Sequence, residues 1–249
     1  MTAKIQSIER AFHILEAFKN YEDGAGLLEI SESTELHKST THRILQTLIS
    51  LGYVEQLENS KYNLTYKLFE LGSHKLKNSN LSNISNRHLK RLSQEINEVV
   101  HLVIREGIEV VYIKKFDADN SITMASHVGM KRPMVRTAVG KSILSHLNDE
   151  EIQTIYQKTL DTYHFDHLLP LPSLMDQIRE TRQTKLSFDL EENEDGVSCV
   201  ATPILGNQGQ CLGAISISGP AFRMKEKKTP KLYEKLVQAA KNISDELKY

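Results

Sequence analysis

Residues 26–72 read GLLEISESTELHKSTTHRILQTLISLGYVEQLENSKYNLTYKLFELG, and the order of apolar periods in this stretch leaves few folds open. Leu27, Leu28 and Ile30 start a short helical pattern over residues 27–34. After a tight turn, residues 38–50 carry Thr41, Ile44, Leu45, Leu48 and Ile49 at i, i+3, i+4, i+7 and i+8, one buried stripe of a helix. Gly52 stops that helix. Two alternating runs follow, 53–57 and 61–65, separated by Glu58, Asn59 and Ser60. Helix, turn, helix, strand, polar turn, strand is the linear order of a winged helix-turn-helix.

The face of the 38–50 helix opposite the stripe carries Lys38, Ser39, Thr40, His42, Arg43, Gln46 and Thr47. Short hydroxyls, an amide and an arginine suit a major groove, where donors and acceptors on base edges lie close to the helix surface. Long acidic side chains, which phosphates would repel, are absent from this face, and Lys61 in the wing is placed to reach a neighbouring phosphate. A small helical subdomain with a solvated face satisfies the same pattern.

Charge tests the reading. Lys and Arg number 31 against 32 Asp and Glu over the 249 residues, and 7 against 10 over residues 1–72, so bulk electrostatics does not draw this chain to nucleic acid. Location answers the objection. Lys38, Arg43, Lys61 and Lys67 fall in the reading helix and wing, and residues 73–91 hold Lys75, Lys77, Arg87, Lys90 and Arg91 with no acid. A local positive stripe is sufficient for phosphate contact, and so few contacts in one copy imply weak binding and hence dimerisation.

No run approaches the ~18 consecutive apolar residues of a membrane span, and the opening MTAKIQSIERAF lacks the apolar core of a signal peptide, so a cytoplasmic protein without membrane partners is expected. Cys199 and Cys211 fit neither a disulfide framework nor a zinc knuckle, and both are expected to be reduced.

An amphipathic helix over 7–20, with Ile8, Phe12, Leu15 and Phe18 on one face, is expected to cap the winged core. The polar stretch 73–85 marks an interdomain connection, and 81–96 reads as helical. Strands are expected at 99–104, 109–115, 121–128, 197–205 and 210–218, and helices at 140–147, 150–158, 173–185 and 230–247. The expected domains are therefore 1–72, a linker and linker helix over 73–96, and 97–249. The last is an α+β domain with a mostly antiparallel sheet.

SIERAFHILEAF, HKSTTHRILQTLISLGYVEQ and YKLFELG resemble the amino-terminal half of the IclR-type bacterial transcriptional regulators. RLSQEINEVVHLVI, TAVGKSILSHL, DLEENEDGVSCVATPIL and GAISISGP resemble the carboxy-terminal half, so the similarity spans about residues 5–245. It implies a winged helix-turn-helix domain, a linker helix and an effector domain of GAF-like fold. It also implies homodimers, or dimers of dimers, acting on near-palindromic double-stranded DNA operators under a small-molecule effector. His37 stands where the family's reading helix usually opens with Pro, a preference at that position and not a requirement.

Carried over segment by segment, the resemblance implies Ala138 and Val139 as amide donors to the effector, with Asp189, Cys199, Ser216 and Ser218 as side-chain contacts. Met124, Met134 and Val197 would form an apolar wall. Three features support this without the family. Ser216 and Ser218 alternate with Ala214, Ile215 and Ile217, so two hydroxyls share one strand face. TAVG ahead of a helical run offers free amides at a helix start, which favour an anion. Asp189 would repel that anion, so it suits the non-ionic end. Structural duties serve equally well, with the serines bonded to backbone, Asp189 capping a turn and Cys199 filling the core.

Enzymatic readings find little. No nucleophile signature surrounds Cys199, and an aliphatic strand leaves a thiol inert. The HFDH stretch at 164–167 lacks metal-site spacing, the acids Glu191, Glu192, Glu194 and Asp195 read as a solvated turn, and GKS at 140–142 lacks the upstream glycine of a phosphate loop. No cofactor, no metal and no catalytic residue are expected. The competing class is a sensory or enzymatic domain whose helical amino-terminal module contacts protein, not DNA.

Overall fold

A computed structural model of the chain describes residues 4–77, 79–119, 124–227 and 229–247. The chain divides into two compact units, residues 1–78 and 79–249.

In the first unit, α1 (Gln6–Ala17) runs into a turn of 3-10 helix (Phe18–Asn20). It is followed by α2 (Leu27–Ser33), α3 (Lys38–Ser50), antiparallel strands β1 (Val54–Gln56) and β2 (Tyr62–Leu64), and α4 (Lys67–Lys77). Ile14, Phe18, Ile30, Leu45, Val54 and Tyr62 form the core, each burial of a large apolar side chain contributing roughly 1.5–3 kcal/mol. Gly52 ends α3 at φ 76°. Its amide and that of Tyr53 donate to the Ile49 and Leu48 carbonyls, both at 2.9 Å, a close that needs a left-handed residue just past the helix.

Helix α1 corrects one expectation. Ile14, Ala17 and Phe18 face the core, whereas Ile8 and Phe12 are more than half exposed. The two stripes lie about a third of a turn apart, so one helix cannot bury both against one core.

The second unit opens with α5 (Asn80–Ile96), β3 (Val99–Glu106), β4 (Glu109–Phe116), β5 (Lys131–Pro133) and a 3-10 turn (Met134–Arg136). Helices α6 (Ala138–Leu144), α7 (Asp149–Thr162) and α8 (Leu171–Thr184) follow. The chain then forms β6 (Ser187–Leu190), β7 (Val197–Leu205), β8 (Cys211–Pro220), α9 (Ala221–Lys227) and α10 (Pro230–Glu246). The six strands make one antiparallel sheet in the order β5-β4-β3-β8-β7-β6. Helices α5 and α10 pack together against β3 and β7, while α6 packs on β7 and β8 in a core with α7 and α8.

Of the strand expected at 121–128, residues 121–123 lie outside the described residues and 124–128 form no strand. Pairing with β4 begins later, where the Gly129 amide donates to the Tyr112 carbonyl at 2.8 Å and the Tyr112 amide to Met130 at 3.0 Å, and β5 continues it. Strand β6 and helices α4 and α9 have no counterpart in the sequence reading. Helix α9 is anchored by ions: Glu98, fully buried, accepts from Arg223 at 2.5 and 2.8 Å and from Lys227 at 2.8 Å.

Candidate functional site

The first candidate site lies on α3. Lys38, Ser39, His42, Arg43, Gln46 and Thr47 are exposed and Thr40 is half-buried, while Thr41, Leu45 and Leu48 are buried on the opposite side. Thr40, Arg43 and Thr47 border an apolar groove between α1, α3 and α4, with the two threonines nearer its apolar floor and Arg43 on its edge, so the outermost ridge is Ser39, His42 and Gln46 with Arg43 beside it. The wing turn is held by the Leu57 amide on the Lys61 carbonyl at 2.7 Å and by the Lys61 amide on Asn59 Oδ1 at 3.0 Å.

Two of the four expected cations have local duties. Lys67 Nζ donates to the Leu51 carbonyl at 2.7 Å and sits 4.8 Å from the centre of the Tyr53 ring, closing the end of α3. Lys61 Nζ lies 3.4 Å from the Gly24 carbonyl. Lys38 and Arg43 form no ion pair among the described residues and face solvent.

The second candidate site is a cavity of about 30 Å³ between the sheet and the start of α6. Met124, Ala138, Val139, Asp189, Val197, Cys199, Ser216 and Ser218 line it. Met134 does not: it is fully buried in the core beneath, with its carbonyl against Gly140. A Cβ at Gly140 would lie 2.1 Å from that carbonyl, so the 3-10 turn and α6 close on each other only around a glycine. Thr137 caps α6 by accepting from the Gly140 amide at 3.0 Å, and Ala138 and Val139 in the first turn of the helix line the cavity.

The sequence reading missed the residue at the centre. His101, on β3, is buried with Nε2 2.8 Å from Ser126 Oγ, and its Nδ1 lies 3.3 Å from Ser218 and 3.4 Å from Ser216. Tyr112 packs edge-on at 5.0 Å. Burial brings the imidazole down to about 3, with the Lys115 charge adding to the effect, so it is neutral at physiological pH. Its signal in the sequence was alternation: His101 is paired with Ser216 across β3 and β8, on the same sheet face. Tyr112, Arg132, Thr137, Asn193 and Glu194 add polar groups to the lining, and Met130 an apolar one.

Asp189 is buried, and burial pushes its carboxyl up to about 6. The Glu192 and Asn193 amides, donating to Asp189 Oδ1 at 2.9 and 3.3 Å, oppose that rise. Asp189 thus closes the 191–196 turn as well as facing the cavity. That turn is held further by Lys141 Nζ on Glu192 Oε1 at 2.6 Å and by Arg136 Nε on the Glu192 carbonyl at 2.6 Å. Burial raises the Cys199 thiol to about 12 and Cys211 to about 11, which leaves both as unreactive thiols. In the 164–167 stretch, Phe165 stacks on Tyr163 at 5.5 Å and lies under Arg136, and among the described residues no group of three ligating side chains is placed to hold a metal.

A winged helix-turn-helix with a solvated reading face, joined in one chain to an antiparallel α+β unit enclosing a polar cavity, defines a ligand-responsive DNA-binding regulator. The family descriptions agree: residues 7–58 match the IclR helix-turn-helix domain, and residues 73–245 match the bacterial transcriptional regulator IclR C-terminal domain. The chain is 35% identical to the transcriptional regulator KdgR of Dickeya chrysanthemi, over 98% of this chain and 81% of that one. It is 33% identical to the Escherichia coli regulator XynR, over 98% of each. The IclR structure from Thermotoga maritima superposes with a TM-score of 0.78 at 30% identity, over 99% of this chain and 100% of that one. The chain belongs to the IclR family of bacterial transcriptional regulators. It is a DNA-binding transcriptional regulator under small-molecule control, and its relatives are regulators and not enzymes.

Proposed function

We propose that this regulator reads its operator through Ser39, His42, Arg43 and Gln46 at the major-groove edge of α3. Lys38, Thr40, Thr47 and the wing residue Lys61 contact the flanking backbone. The protein acts on DNA in the cytoplasm as a homodimer or a dimer of dimers, on near-palindromic half-sites one or more helical turns apart, about 34 Å per turn. Support for pairing comes from the first unit: a groove of about 720 Å³ between α1, α3 and α4 is lined by Ile8, Phe12, Leu51 and Leu71, each more than half exposed. A second copy covering the side of this groove formed by α1 and α4, around Ile8, Phe12 and Leu71, would bury apolar surface that a lone unit leaves in water and leave Thr40, Arg43 and Thr47 to the DNA.

The effector in this reading is a small organic acid or sugar acid. The observation that carries it is the division of the cavity's polar groups: the Ala138 and Val139 amides and the Arg132 guanidinium suit a carboxylate, while neutral His101, Ser216, Ser218 and Asp189 suit hydroxyls. Effector binding alters operator affinity to the extent that the ligand prefers one arrangement of the dimer.

A thermal-shift screen of small organic and sugar acids, followed by operator footprinting with the hits, tests both halves. A hit should stabilise the wild type, fail to stabilise Ser216→Ala/Ser218→Ala, and change the footprint of the wild type alone. Equal stabilisation of the double variant sinks the pocket assignment, and a uniform cleavage ladder on every fragment upstream of the gene sinks the operator assignment.

A further inference from the structure

A second cleft, of about 330 Å³, lies on the other side of β6, within the roughly 300–1,000 Å³ typical of small-molecule sites. It shares no lining residue with the effector cavity. Strand alternation explains the separation: Asp189 faces the cavity, and its neighbours Phe188 and Leu190 line the cleft.

Its polar groups are poorly matched among themselves. Lys141 is fully buried, and Nζ donates to the Phe188 carbonyl at 3.0 Å and to Glu192 at 2.6 Å, which leaves one of its three N–H groups. Gln177 Oε1 is buried and accepts no hydrogen bond from any described residue. Glu180 adds a carboxylate at the rim. Thr181 gives its hydroxyl proton to the Gln177 carbonyl at 2.8 Å and so presents lone pairs. Beside them Phe188 and Tyr233 meet edge to face at 5.7 Å.

We propose that this cleft is a second ligand site, for a neutral polyhydroxylated molecule of monosaccharide or polyol class. Hydroxyls both donate and accept, so adjacent ones satisfy Gln177 and Glu180 while taking the remaining proton of Lys141. A carboxylate would meet Glu180 and the Gln177 oxygen as like partners, and an ammonium would meet Lys141. The C–H face of a sugar ring packs on the two aromatic rings. Lys141 stands on α6, whose first two residues line the effector cavity, and Glu192 belongs to the turn whose next two residues line that cavity. One ion pair therefore joins the two sites.

Saturation-transfer NMR on the full chain with D-glucose, D-xylose and myo-inositol tests this without any knowledge of the effector. Transfer is expected to at least one probe. It should weaken at least tenfold in Gln177→Leu and in the rim variant Glu180→Gln, and be unchanged in Ser216→Ala/Ser218→Ala. Gln177→Leu should fold normally, since it replaces an unsatisfied buried acceptor with an apolar group. No transfer to any of the three probes overturns the proposal, as does equal transfer in both cleft variants. Loss in the serine double variant overturns it too, by moving the sugar into the effector cavity.

Discussion

The outer face of α3 and the cavity beneath α6 are both polar, and they are built in opposite ways. On α3, Ser39, His42, Arg43 and Gln46 stand in solvent without a side-chain hydrogen bond among the described residues, over a separately packed apolar stripe. In the cavity, His101, Ser126, Ser216 and Ser218 are tied to one another, and Asp189 is tied to a turn. Side chains that meet a polyanion from water carry no folding duty. Side chains that meet a small molecule inside a sheet serve the fold as well. Mutations should therefore separate binding from stability on α3 and entangle the two in the cavity.

The largest expected effect tests how far the cavity scaffold can yield. Gly140→Ala forces a methyl into the Met134 backbone and should lower unfolding free energy by about 3 kcal/mol in urea denaturation. A loss under 1 kcal/mol would mean that the cavity floor is soft.

Titration comes next. Asp189 is raised on folding, so its penalty is absent below its ordinary value near 3.8 and complete above about 6. Asp189→Asn should stabilise by on the order of 2–3 kcal/mol at pH 8 and by nothing near pH 3.5. His101 runs the other way: lowered on folding, it leaves stability intact above 6.5 and erodes it as pH falls toward 3. The wild type should accordingly show a shallow stability profile between about pH 4 and 6, where the two oppose, and a pH series of denaturation curves reads this directly.

Arg43→Ala should leave unfolding unchanged within about 0.5 kcal/mol. It should cost roughly 1–3 kcal/mol of operator binding and relax preference at one base pair. A matching loss of stability would erase the contrast between the regions. Smallest is Lys61→Ala, which should weaken all DNA sequences alike and reduce the salt slope by about one contact; an unchanged slope would confine Lys61 to its Gly24 carbonyl.

The elements most legible in the sequence were those with a strong, uninterrupted period. Helix α3 occupies the expected residues 38–50, and β7 the expected 197–205. The wing was legible as a hairpin, though shorter than its alternation suggested, because β1 and β2 pair over only three residues each. Brief elements were not legible. β5 and β6 span three and four residues, too few for a period, and exist because long neighbours offer them an edge. In the cavity, motif-bearing segments pointed to Asp189 and Ser216; His101 lies inside the RLSQEINEVVHLVI segment but reads there as one more residue of an apolar strand, and Arg132 sits in a three-residue strand, so both reach the site only through pairing. Met134 was misplaced because its segment turns as a 3-10 helix, rotating the side chain into the core.

The cavity offers a ligand only about 30 Å³, far below the roughly 300–1,000 Å³ typical of small-molecule sites. A small organic acid is therefore expected to widen the site as it binds, by parting lining side chains such as Met124 and Met130. The work of parting them is subtracted from every binding event, so apparent affinity falls by the fraction of molecules already open. A ligand that must open its own site is answered at concentrations raised by that same factor.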